Sequence, residues 1–158
     1  MEYEQWASNA HIESLRNRAR LIQRIRNFFI DRDYLEVETP IMAEYGVTDV
    51  YLENITAQFQ SHNYALQTSP EFNMRRLLAS GSCAIFQLSK AFRDDEIGRW
   101  HNPEFTMLEW YCPDISHHQL IDEVDALLQA ILQCDPLLKV SYQQLFERYC
   151  EGINPHIV

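Results

Sequence analysis

The chain has 158 residues, of which 46% are hydrophobic and 12% aromatic, enough to bury a core and too apolar for a disordered segment. Its 23 acids against 13 Lys and Arg leave a net charge of −10, which repels phosphate backbones and argues against a surface that grips tRNA. Cys83, Cys112, Cys134 and Cys150 share no CxxC or metal-ligand spacing, the start MEYEQWASNA is no leader, and no apolar run approaches the ~20 residues of a membrane span, so a single cytoplasmic domain with reduced thiols and no protein metal site is expected.

From about His11 to Asp31, Leu15, Ala19, Ile22, Ile25 and Phe29 recur on one helical face, with Arg16, Arg18, Arg20, Arg24 and Arg26 mostly on the others. The arginines read as a solvated face. In DRDYLEVETPIM, Leu35 and Val37 alternate with Glu36 and Glu38, which predicts a short half-buried strand. Pro40 ends its ladder, having no N–H to donate. AEYGVTDVYLENITAQF offers a turn at Gly46 and strand-like alternation through Val50, Leu52 and Ile55. YALQTSPEFNMRRLLASG predicts a strand running into a helix, with Ser69 at the N-cap, Pro70 at the first helical position and Glu71 where its charge meets the positive end of the helix dipole. Capping alone explains Ser69 and Glu71.

CAIFQLSKAF then reaches Arg93 and three acids, passes a polar loop with Gly98, and returns as FTMLEWY, the pattern of an antiparallel hairpin. The period of two puts Phe105, Met107, Glu109 and Tyr111 on one face and Thr106, Leu108, Trp110 and Cys112 on the other. Arg93 lies across the loop from His101 and Asn102. A planar guanidinium grips a phosphate through two bonds and a flat ring stacks on a base, so these are the parts of a nucleotide site, although a solvated turn would also satisfy the spacing. Further on, PDISHHQLIDEVDALLQAILQ predicts an amphipathic helix with Ser116 and Gln119 as a capping box and Leu120, Val124, Leu127, Leu128 and Ile131 as its buried face. His117 and His118 are expected to be exposed, with no third ligand nearby. Ser141 and Gln144 repeat the capping grammar and open a last helix that reaches Tyr149.

The opening Arg93-Asp94-Asp95 and the closing His101-Asn102-Pro103-Glu104-Phe105 resemble motif 2 of the class II aminoacyl-tRNA synthetases, placed here near 92–111. RWHNPEFTMLEWY is similar to the lysine-specific branch of that class. The helix, strand and Pro40 resemble motif 1, near 28–40, which in that family builds the dimer interface. TSPE matches the position at which lysine-activating members hold the substrate's amino group. The VTD string before Leu52 looks like the elongation factor P β-lysine ligases, the lysyl-tRNA-synthetase-related group.

The resemblance implies an α+β fold with an antiparallel active-site sheet flanked by helices. Residues 1–158 would form the N-terminal portion of a catalytic domain, because the glycine-rich motif 3, with its second ATP-binding arginine, is absent before Val158. It implies activation of (R)-β-lysine or lysine by ATP, with Mg²⁺ on the phosphates and no metal ligand assigned, then transfer to elongation factor P. Arg93 would be the catalytic clamp on the α-phosphate, joined at ATP by Asp94, Asp95, His101, Asn102 and Phe105, the last stacking on adenine. Asp95 stands where the family has glutamate, one methylene shorter. Glu71 and Tyr111 would fix the substrate's amines, with Ser69, Pro70 and Glu109 in support. A homodimer through motif 1 is implied. The thirty-nine residues before Pro40 are too few for an anticodon-binding barrel, so a protein-lysine ligase is favoured over the alternatives, a lysyl-tRNA synthetase core or a non-catalytic fragment that keeps the ATP-binding or dimerisation surface.

Overall fold

The computed structural model describes Ser8, residues 10–94 and residues 97–150. Asp95 lies outside the described residues. The elements in order are α1 (Ile12–Ile30), β1 (Leu35–Glu36), β2 (Met42–Ala43), β3 (Thr56–Phe59), β4 (His62–Leu66), α2 (Glu71–Ala79), β5 (Ile85–Phe92), β6 (Glu104–Tyr111), α3 (His117–Leu132) and α4 (Tyr142–Tyr149). They fall into two compact units, one running up to Ser116 and the other from His117. The architecture is α+β, as the sequence predicts.

The first unit is built on the hairpin. β5 and β6 pair antiparallel from Ile85↔Tyr111 to Phe92↔Glu104, and β1 adds a parallel edge through Leu35↔Ile85. Because opposed residues share a face, Phe86 and Trp110 point one way and Gln87 and Glu109 the other. Helix α1 takes the aromatic face. Phe29, fully buried, stacks on Phe86 at 4.8 Å between ring centroids and meets Trp110 at 5.3 Å and Tyr34 at 5.2 Å. Truncating such a side chain costs roughly 3–5 kcal/mol, so Phe29 is the pin between helix and sheet. The opposite face carries Glu109 and Tyr111, with Ile85 and Gln87 buried on it.

A second sheet, ordered β2-β4-β3, precedes α2. Its β3–β4 hairpin closes through Gln60 and Ser61, with φ of 47° and 66°. Both lie in the left-handed region that a two-residue type I′ turn requires, where Asn-Gly would be the relaxed choice.

Several expectations are corrected. The apolar stripe of α1 is buried only at Phe28 and Phe29, and Leu15 stays 46% exposed, because the short sheet covers only the C-terminal end of the helix. Leu35 is 53% exposed rather than half-buried, since β1 is a two-residue edge strand. The alternation through Val50 is no strand: the Asp49 carboxylate accepts the Tyr51 N–H at 3.0 Å, an Asx-type turn, and β3 starts only at Thr56. Helix α2 begins one residue later than expected, with Pro70 rather than Ser69 at the cap position.

In the second unit, α4 is capped as its sequence predicts. The Gln144 N–H donates to Ser141 Oγ at 3.1 Å and the Ser141 N–H to Gln144 Oε1 at 2.9 Å. On α3, His117, His118 and also Leu120 are exposed, whereas Asp125 is buried. Asp125 Oδ1 accepts the Leu137 N–H and the Gln129 amide, each at 2.9 Å, and the backbone bond above all holds its carboxyl below the usual range.

Candidate active site

Strand β6 turns Glu109 and Tyr111 to the face opposite α1, and the turn into α2 brings Ser69 and Glu71 to meet them. Ser69 Oγ donates to Glu109 Oε2 at 2.6 Å, and the Tyr111 hydroxyl donates to Glu109 Oε1 at 2.6 Å. The Glu71 N–H donates to Ser69 Oγ at 3.1 Å, so this hydroxyl both accepts from the first residue of α2 and holds the Glu109 carboxylate. Glu71 Oε1 pairs with Arg75 Nη2 at 2.6 Å, and the Arg75 guanidinium also reaches the Tyr111 hydroxyl. The five residues therefore close a ring containing two carboxylates. Burial, and next the bond to Glu109, push the Tyr111 phenol well above its ordinary value, so it remains a hydrogen-bond donor at neutral pH. Pro70 is fully buried between Ser69 and Glu71.

Arg75 is the ring member that sequence reasoning missed. Its signal was its place four residues after Glu71, where an ion pair on one helix face is favoured.

At the far end of the same face the Arg93 guanidinium lies over the Phe105 ring, 5.2 Å from its centroid, and the Arg93 N–H donates to the Pro103 carbonyl at 3.0 Å. Phe105 and Glu109 are four residues apart on β6, about 14 Å along the strand. The Asp94 N–H is bound to the Glu53 carbonyl at 3.0 Å. His101 is tied to Gly98 by two backbone bonds of 3.2 Å, and its ring and the Asn102 amide are exposed at the loop tip, away from the ring of five.

Beside the ring opens a cavity of about 490 Å³, walled by Ile41 to Val47, Asn54, Leu66 to Ser69, Glu71 and Phe72. It touches Ser69 and Glu71 but not Arg93, Phe105, Glu109 or Tyr111, so it adjoins the polar cluster rather than containing it. Gly46 lies on its wall, where a Cβ would come within 2.6 Å of Asn54 Cγ, and the Val47 N–H donates to Asn54 Oδ1 at 3.3 Å. Among the described residues no three His, Cys, Asp or Glu side chains gather as a metal site, and no helix is long and apolar enough to cross a membrane.

The chain matches the family model described as tRNA synthetases class II (D, K and N) over residues 2–149. It is 51% identical over 160 aligned positions to a protein of Actinobacillus succinogenes named elongation factor P–(R)-β-lysine ligase, covering 98% of this chain and 49% of that protein. Proteins with the same name from Haemophilus influenzae, 51% identical over 95% of this chain, and Histophilus somni, 52% identical over 96%, are covered to 48% and 49% of their own length. The chain thus spans about half the length of the curated relatives it matches.

Proposed function

Because the chain belongs to the class II tRNA synthetases of the D, K and N group, we propose that the protein carrying it activates (R)-β-lysine with ATP and transfers the acyl group to a lysine of elongation factor P. The observation that carries this reading is the closed ring of Ser69, Glu71, Arg75, Glu109 and Tyr111, with the Arg93–Phe105 pair at the other end of the same strand face. Two carboxylates suit a substrate with two ammonium groups, each of which needs a partner when it leaves water. A guanidinium over an aromatic ring suits a nucleotide.

In the first step the substrate's carboxylate oxygen bonds to the α-phosphorus of ATP while the bond to pyrophosphate breaks, giving an acyl-adenylate. Such steps depend on positioning and on charge complementary to the transition state, the role assigned here to Arg93. Asp94, Asp95, His101, Asn102 and Phe105 complete the ATP contacts in this reading, and Ser69, Pro70, Glu71, Glu109 and Tyr111 hold the amino acid. In the second step a lysine ε-amine attacks the acyl carbon, releasing AMP and leaving an amide. Mg²⁺ would arrive with the ATP phosphates.

The net charge of −10 favours a protein acceptor over tRNA. The uncovered apolar residues within motif 1, Ile30 and Leu35, support a homodimer through it. To test the function, the full-length protein is offered elongation factor P and tRNA together, with ATP and radiolabelled β-lysine or lysine. Label on elongation factor P is the expected result. Label on tRNA alone would replace this reading with that of a lysyl-tRNA synthetase, and no ATP–pyrophosphate exchange with any amino acid would reduce the protein to a binding module.

A further inference from the structure

Gln87 sits directly opposite Glu109 in the β5–β6 register, on the face turned away from α1. It is 1% exposed, yet neither its Nε2 nor its Oε1 has a hydrogen-bond partner among the described residues. A buried carboxamide carries two donors and two acceptor sites, and leaving all of them unmet is costly enough that native structures rarely do so. Two polar neighbours are engaged, while the Oε1 of Gln67 is itself buried without a hydrogen-bond partner among the described residues. Glu109 is held by Ser69 and Tyr111, and the Ser89 hydroxyl, next along β5, accepts from Gln67 at 3.3 Å. No described residue bonds Gln87, which lies one strand away from a carboxylate of the ring.

We propose that Gln87 is the floor of the amino-acid site and hydrogen-bonds the diamino-acid substrate, directly or through one ordered water. The inference rests on the reading of function given above. Glu109 neutralises an arriving charge, and Gln87 reads shape: its Oε1 accepts from an N–H and its Nε2 donates to a substrate oxygen or a bridging water. A site built in this way discriminates against analogues that lack the polar group, because its own buried amide is then left unmet. Gln87 is thereby a specificity residue as well as a binding residue.

Gln87→Met in the full-length protein keeps the side chain's length and removes its polarity. ATP–pyrophosphate exchange, measured against lysine and (R)-β-lysine at saturating ATP, should show KM for the amino acid raised about 10- to 100-fold, with KM for ATP within about twofold of wild type. Thermal melting should be unchanged or higher, since an unpaired buried amide has been replaced by an apolar group. Gln87→Glu, which returns an acceptor to the same place, should recover most of the lost affinity. An unchanged amino-acid KM in an active Gln87→Met enzyme would overturn the inference, leaving Gln87 as the holder of a structural water. A parallel rise in both KM values, or a lowered melting temperature without recovery in Gln87→Glu, would assign it to the scaffold. If the wild-type protein exchanges pyrophosphate with no amino acid, the functional reading itself fails and this inference falls with it.

Discussion

Glu71→Gln separates substrate binding from a purely helical role for this carboxylate. In the structure the Glu71 carboxylate is engaged, 2.6 Å from Arg75, with the two side chains 42% and 64% exposed. An i,i+4 pair at that exposure is worth only about 0.3–0.5 kcal/mol, so an arriving ammonium displaces Arg75 at a cost of about twofold in affinity. A hydrogen bond to a charged group is worth about 1.5–3 kcal/mol, and partial exposure places this one toward the lower value. At 1.4 kcal/mol per decade, Glu71→Gln should raise KM for the amino acid roughly 10- to 30-fold. The ammonium keeps its charge through the reaction, so kcat should change little, and KM for ATP should not move. Loss of the ion pair and of the charge at the start of α2 should lower stability by less than about 1.5 kcal/mol. The assay is pyrophosphate exchange by the full-length protein at saturating ATP, with Arg75→Gln as the internal control, for which KM should fall by no more than about twofold. An unchanged amino-acid KM in Glu71→Gln would leave the carboxylate with only its ion pair to Arg75 and its favourable place at the start of α2.

Arg93→Ala should lower the rate of adenylate formation by roughly 10²- to 10³-fold in single-turnover measurements, the cost of losing one charge-stabilising donor, and a smaller loss would move the clamp elsewhere. Ser61→Gly should raise stability by about 1 kcal/mol in denaturant melts, because glycine adopts the positive φ of the β3–β4 turn without strain. Tyr111 has a phenol raised in the folded state above its ordinary value of 10.0, so its contribution to stability is intact below pH 10 and is lost as pH rises further toward the folded value. In spectrophotometric titrations at 295 nm, native wild type and native Tyr111→Phe should therefore ionise the same number of phenols up to about pH 11, whereas the unfolded wild type should ionise one more than unfolded Tyr111→Phe.

What could be read from the sequence was what a local period or a local cap determines. The hairpin and the assignment of Glu109 and Tyr111 to one face follow from alternation, and the α4 box follows from Ser141 and Gln144 alone. The family resemblance led to Ser69, Glu71, Glu109 and Tyr111, but their closure into a ring depends on Arg75, whose guanidinium crosses from a helix to a strand. Gln87 looked like one more residue of an apolar strand, because its isolation is visible only once every neighbour's bond is known. Leu35 and Leu15 were misjudged for a related reason: periodicity says which face a residue is on, not whether anything covers it. Asp125, charged and buried, is explained by a backbone N–H twelve residues away, which no window of helical spacing contains.

The bond from the Asp94 N–H to the Glu53 carbonyl joins chain segments forty-one positions apart. One end of it adjoins Arg93, and the other adjoins Asn54, which with Gly46 and Val47 walls the cavity. A ligand that ordered the arm around Arg93 would therefore also order the backbone next to a wall of the cavity.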